Sequence, residues 1–252
     1  MAVGVASRTT GRPLRGVTVD FWHTLAYLPP RARAQLEGAR RTIWTEQLRL
    51  AGLDAREAAQ WAVWSERTDR QLERSGRAPS IPHQAHIIRE AAKVRVDPSA
   101  ISDALDRELL ATPVRPLPGA VEALGRMRSQ GLELALVSNV VFESPSAGIQ
   151  VLERLGMARY LPVRAYSADL PWSKPDPRIF RWALHELGVR PAQALHIGDL
   201  PLDVTGALSA GMQALRLTWE ERTRGVRRNP GPREVRSWAE ALRRVLALQR
   251  DS

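Results

Sequence analysis

From Pro116 to Leu217 the sequence keeps changing period, and that alternation limits the fold more than any other property of the chain. PLPGAVEALGRMRSQG reads as a loop and a helix stopped by Gly131, and LELALVSN as a strand ending at Ser138 and Asn139. A helix around Ser146 to Leu155, an extended piece near Val163 to Ser167 and a helix from Asp176 to Leu187 follow. The strand ALHIGD, the helix LDVTGALSA closed by Gly211, the strand ALRL and an amphipathic helix around Val235 to Leu248 complete the series. Far upstream, GVTVD adds a strand in which Val17 and Val19 flank Thr18, and which delivers Asp20 to a loop. Strands that alternate with helices pair in parallel through right-handed crossovers, so the expectation is an α/β fold: a doubly wound parallel sheet.

The stretch between these parts has no strand alternation. Pro29 and Pro30 close the first unit, and one helix face carries Leu36, Ile43, Trp44 and Leu48 before Gly52. Asp54 with Glu57 opens a second helix bearing Ala58, Trp61, Ser65, Thr68 and Leu72. After the linker SGRAPSIP come a third helix with Ala85, Ile88 and Ala92, and a fourth opened by Asp97 and Pro98 that carries Ile101, Leu105 and Leu109. The expected organisation is a core of residues 1–28 and 115–252 with an α-helical unit, 29–114, inserted after the first strand. Trp61 and Trp64 share a helix face and are read as packing within that unit.

Composition narrows the partners. No run approaches the roughly 20 apolar residues of a membrane span, and the N-terminal stretch lacks the apolar centre of a secretory signal. The chain has no Cys, so a cytoplasmic location and no membrane partner are expected. Its net charge of +10 rests on Arg, with Lys93 and Lys174 the two lysines. Basic and acidic residues interleave as on solvated helix faces, and only RTRGVRRNPGPR (222–233) is a dense cluster, so nucleic acid is not the expected partner. A positive field does favour small anionic substrates. Nothing in the sequence specifies an oligomeric state.

Four segments at strand ends and loops carry the chemistry: Asp20 with Thr24; Ser138 with Asn139; Lys174 in SKPDPRIF; and Asp199 with Asp203 in HIGDLPLD. Carboxylates from two strand ends suit a hard divalent cation such as Mg²⁺, which takes oxygen ligands and a substrate phosphate. A hydroxyl, an amide and a lysine beside them would neutralise and hydrogen-bond a phosphoryl group. Attack of a carboxylate on phosphorus is the chemistry such a set supports.

In their order and spacing these four segments resemble the haloacid dehalogenase (HAD) superfamily of hydrolases, and the stretch from Tyr166 to Met212 is similar to that family throughout. The resemblance implies a Rossmann-like core with an α-helical cap inserted after the first motif. It assigns Asp20 as nucleophile and metal ligand, Thr24 as support for its loop, and Ser138 and Asn139 as contacts to phosphoryl oxygens. Lys174 would balance the charge of nucleophile and phosphate, Asp199 would bind Mg²⁺, and Asp203 would support the metal shell. His196, within the strand before Gly198, is read as packed or hydrogen-bonded rather than as a ligand.

One position departs from the family's pattern. Its phosphatases carry a second Asp two residues after the nucleophile as general acid and base, and here that residue is Trp22, followed by His23 where Gly is common. The family ligates Mg²⁺ through the backbone carbonyl at this position, so the resemblance implies that a metal can still be held through the Trp22 carbonyl, with Trp22 and His23 bordering the expected substrate site. Lost proton transfer typically costs about 10²- to 10⁴-fold in rate. The expectation is a Mg²⁺-dependent phosphohydrolase acting on a small phosphorylated metabolite through an aspartyl-phosphate, with proton transfer absent, taken by water or taken by His23. Two alternatives stand beside it: a metal-independent hydrolase like the family's 2-haloacid dehalogenases, which place an aromatic residue at this position, and a catalytically weak protein that binds a phosphorylated ligand or partner.

Overall fold

In the computed structural model, which describes residues 13–74, 80–140, 143–219 and 231–250, β1 (Gly16–Val19) lies inside a six-stranded parallel sheet. The order is β5 (Val163–Tyr166), β4 (Glu133–Ser138), β1, β6 (Ala194–Gly198), β7 (Gln213–Leu217) and β8 (Glu234–Val235). Such a strand has helices over both faces and no side toward water, so all four β1 residues are buried. The sheet has two apolar faces. Val17, Val19, Leu134, Leu136, Leu195 and Ile197 pack with α5 (Ala120–Ser129), α6 (Pro145–Arg154) and α9 (Trp238–Arg250). Ala135, Val137 and Ala214 pack with α7 (Pro177–Glu186) and α8 (Pro201–Ala210). The chain runs outward from β1 through β4 to β5 and then returns to β1's other side at β6, which makes a switch point at the carboxyl ends of β4, β1 and β6. Open α/β sheets bind their ligands at such a point.

Between β1 and β4 the chain forms α1 (Pro30–Leu50), α2 (Ala55–Arg74), α3 (Ile81–Ala92) and α4 (Pro98–Ala111). Their starts follow the sequence chemistry: the Asp54 carboxylate accepts from the backbone N–H of Arg56 and Glu57 at 2.8 and 2.9 Å, and Asp97 accepts from Ser99 N–H at 2.9 Å. Trp44, Leu48, Ala58, Ala62, Ile81, Ile88, Ile101 and Leu105 form a separate apolar centre, against which Trp61 and Trp64 pack edge to face, 5.4 Å apart. Residues 75–79 of the expected linker and 222–230 of the Arg cluster lie outside the described residues.

Two details differ from the sequence reading. Val235 belongs to β8 rather than to the last helix, because its carbonyl accepts from Thr218 N–H at 2.8 Å and its side chain is fully buried; α9 begins at Trp238. The chain also enters and leaves the helical unit through an antiparallel pair, β2 (Ala26–Tyr27) with β3 (Arg115–Pro116), too short to leave an alternating pattern.

Candidate active site

Asp20 directly follows β1, Ser138 ends β4 and Asp199 directly follows β6, so register alone brings these three residues to neighbouring strand ends. Asp20 N–H bonds to Ile197 carbonyl at 2.9 Å, and the Asp20 Oδ2 accepts from Thr24 Oγ1 at 3.2 Å. Thr24 is itself fixed, since α9 donates the Trp238 indole N–H to its carbonyl at 2.7 Å. Lys174 arrives on the loop before α7, and its Nζ lies 2.5 Å from Asp20 Oδ1 and 2.7 Å from Asp203 Oδ1.

Asp203 sits in the first turn of α8 and bends back over Gly198. Its Oδ2 accepts from Leu200 N–H at 2.9 Å. A Cβ added to Gly198 would fall inside the Asp203 carboxyl, so the backbone can approach only because that residue is glycine. Behind Asp203, His196 Nε2 stands 3.4 Å from its Oδ1, while His196 Nδ1 bonds Thr18 Oγ1 at 2.8 Å. His196 is thus a hydrogen-bonded interior residue.

Charge dominates this pocket. Burial works against the Lys174 ammonium, but the Asp20 and Asp203 carboxylates outweigh it and hold its pKa above the ordinary lysine range. Burial would raise Asp203 as well; there the Lys174 ammonium and the His196 hydrogen bond win and hold the carboxyl below its usual value. For Asp199 nothing compensates as fully: burial, then the Asp20 and Asp203 carboxylates, push it well above the carboxylate range. Three carboxylates therefore face one ammonium, and single oxygens of Asp20, Asp199 and Asp203 lie within 4.8 Å of one another. An all-oxygen set with excess negative charge fits a hard divalent cation such as Mg²⁺.

The expected site residues take different places. Ser138 Oγ is buried at the same strand ends and has no hydrogen-bond partner among the described residues. The Asn139 side chain braces the segment that carries Lys174. Its Oδ1 accepts from Lys174 N–H at 2.8 Å and its Nδ2 donates to Lys174 carbonyl at 3.0 Å, so both ends of the amide hold the lysine's backbone. His23 has φ +59°, which explains why glycine suits the position, and its N–H bonds to Ala26 carbonyl at 2.7 Å.

Trp22 is half-buried, with its ring 4.7 Å from that of Phe21 and its indole N–H donated to Glu143 Oε1 at 2.8 Å. Glu143 was not singled out in the sequence. It is buried, and burial raises its carboxyl despite the indole hydrogen bond. The available signal was an acid in the loop just past Ser138 and Asn139, with nothing to show its partner.

Comparison with known proteins gives the family. A family model described as haloacid dehalogenase-like hydrolase matches residues 16–211. A phosphoserine phosphatase of Thermus thermophilus is 33% identical over 77% of this chain and 68% of its own length. A probable phosphoglycolate phosphatase of Pseudomonas putida is 34% identical over 40% of this chain, and the match spans only 39% of that protein. Among solved structures, a HAD phosphatase from Thermococcus onnurineus superposes with a TM-score of 0.63 at 22% identity, covering 94% of this chain and all of that one (100%). The chain belongs to the haloacid dehalogenase-like hydrolases.

Proposed function

We propose that this hydrolase is a Mg²⁺-dependent phosphohydrolase that acts on a small phosphorylated metabolite through a covalent aspartyl-phosphate on Asp20. The observation that carries the reading is the excess of carboxylate over ammonium at the strand ends, beside the unpartnered Ser138 hydroxyl. Asp20, Asp199 and the Trp22 backbone carbonyl would hold the cation, with Asp203 supporting that set. Bound there, Mg²⁺ would supply positive charge to the phosphoryl oxygens.

The chain's own residues do the rest. A carboxylate oxygen of Asp20 forms a bond to phosphorus as the bond to the leaving oxygen breaks, and that oxygen departs with the electron pair. Lys174 and Ser138 stabilise the phosphoryl oxygens while Thr24 keeps the nucleophile aimed. Water then attacks phosphorus as the bond to the Asp20 oxygen breaks, its proton passing to His23 or to bulk water, and phosphate leaves with the Asp20 carboxylate restored. Trp22 cannot supply the proton that the leaving group needs, so water or His23 does. Substrates whose leaving groups need no protonation, acyl phosphates and nitrophenyl phosphate, are the ones this site handles best. The helical unit, joined at the β2–β3 pair, acts as the cap over the strand ends. Against the halide-displacing alternative stand the retained Asp199 and Asp203.

A panel of acyl phosphates and phosphomonoesters, assayed for phosphate release with Mg²⁺ and with chelator, tests this. Chelator-sensitive release that is faster for acyl phosphates than for alkyl phosphates is expected. Silence across the panel, with halide released from a 2-haloacid, would overturn it. Truncating His23 to Ala separates the two proton sources: only a histidine that moves protons makes the loss larger for poor leaving groups.

A further inference from the structure

The residue that stands where a proton-transfer carboxylate is missing is itself held by a carboxylate from another part of the chain. Trp22 and Glu143 are 121 positions apart, and the indole N–H reaches Glu143 Oε1 at 2.8 Å. Glu143 is 7% exposed, so this acceptor is not competing with bulk water. Its segment is tied down on the C-terminal side. Next to it, Ser144 donates its backbone N–H to Asp106 Oδ1 of α4 at 2.8 Å, and the Ser144 hydroxyl caps α6 by accepting from Ala147 N–H at 3.1 Å. Arg40 of α1 and Asp106 of α4 are the charged groups of the helical unit that act on the Glu143 carboxyl.

The other end of the contact belongs to the nucleophile's loop. Leu25 N–H and Ala26 N–H both bond to Phe21 carbonyl, at 2.8 and 3.1 Å, and Trp22 bridges to Ala26, so residues 20–26 form one tight turn. The position of the Trp22 ring and the path of the backbone that presents Asp20 are therefore set together.

Resting on the phosphohydrolase reading, we infer that Glu143 is a positioning residue for that reaction: by accepting the Trp22 indole N–H it locks the nucleophile loop, and through Ser144 and Asp106 it makes that lock depend on where the helical unit sits. The role belongs to the hydrogen bond and not to proton transfer by Glu143. An amide of the same shape replaces it, whereas a methyl group leaves the indole N–H unpartnered and its ring free to leave its rotamer.

The test uses the full chain as wild type, Glu143→Gln, Glu143→Ala, Trp22→Phe and the double variant Trp22→Phe with Glu143→Ala. The first readout is hydrogen exchange of the Trp22 indole, assigned by its disappearance in Trp22→Phe. The second is acetyl phosphate turnover, with thermal stability measured alongside. Protection of the indole is expected in wild type and Glu143→Gln and is lost in Glu143→Ala. Glu143→Ala lowers kcat about 10- to 100-fold, the scale of an ångström-sized misplacement, with a smaller change in KM, while Glu143→Gln stays near wild type. Once Trp22 is Phe, the Glu143→Ala change adds no further loss.

Wild-type kcat in Glu143→Ala, with only a lower melting temperature, would make the bond structural and overturn the inference. So would Glu143→Gln falling as far as Glu143→Ala with the indole still protected, since the carboxyl itself would then be the working group. Should wild type release no phosphate from any substrate, the functional reading fails by itself. The inference is then judged on the affinity of Mg²⁺-loaded protein for inorganic phosphate, and equal affinity in wild type and Glu143→Ala overturns it.

Discussion

The strand ends of the core and the interior of the helical unit are both buried, yet they are built from opposite chemistry. At the ends of β1, β4 and β6, in the adjacent loops and in the first turn of α8 lie Asp20, Ser138, Lys174 and Asp203, each under 10% exposed, with Lys174 in contact with both acids. The centre of the helical unit is Trp44, Leu48, Ile88, Ile101 and their neighbours, with one buried polar pair, Ser65 with Gln84, among the described residues. Buried charge costs stability unless paired, and unpaired buried polar groups cost it outright. A region that retains such groups is held for its chemistry, whereas a region that follows apolar periodicity is held for its shape. On the phosphohydrolase reading proposed above, the reaction would reside at the strand ends and the helical unit would shape the space beside them.

Substitutions should separate the two regions. The largest effect is expected from Lys174→Met, which leaves Asp20 and Asp203 facing each other without their counter-charge; breaking a buried pair costs about 3–5 kcal/mol. Denaturant unfolding measures that loss, and turnover per folded molecule falls with it. Trp44→Ala, at 2% exposure, should destabilise the fold by a similar ~3–5 kcal/mol through the cavity it opens. Its kcat, measured on the folded fraction, should stay near wild type. A kcat loss as deep as that of Lys174→Met would break the division between the regions.

Smaller and opposite in sign is Asp199→Asn. The Asp199 carboxyl is held above its unfolded value, so in metal-free protein the stability linked to it is present below that unfolded value and fades as pH rises through the folded one. Metal-free Asp199→Asn should therefore melt above wild type at neutral pH and lose most of the stabilisation that Mg²⁺ confers. Thermal melts across pH, with Mg²⁺ and with chelator, read both effects. Leu50→Ser, at the 81% exposed end of α1, should change stability by no more than about 0.5 kcal/mol and leave turnover unchanged.

What the sequence carried and what it hid divide along the same physical line. Local chemistry was legible: β-branched Val17 and Val19 before an acid, Asp54 and Asp97 as helix caps, and strand–helix alternation as a parallel sheet. Features that depend on which strands become neighbours were not. Thr18 meets His196 through inter-strand register across 178 positions, and Glu143 reaches Trp22 across 121; no period or motif records either contact. The two hydrogen bonds by which the Asn139 amide holds the Lys174 backbone likewise span 35 positions and leave no trace in the sequence. At two residues, β8 is shorter than any pattern can reveal.

The most direct test of the central claim is to trap the covalent intermediate. Protein loaded with Mg²⁺ is mixed with radiolabelled acetyl phosphate and quenched in acid within one turnover, and the labelled peptide is identified by mass spectrometry. Label on Asp20 in wild type, and none in Asp20→Asn, is the predicted result. Wild-type turnover that leaves Asp20 unlabelled, or undiminished turnover by Asp20→Asn, would contradict the account.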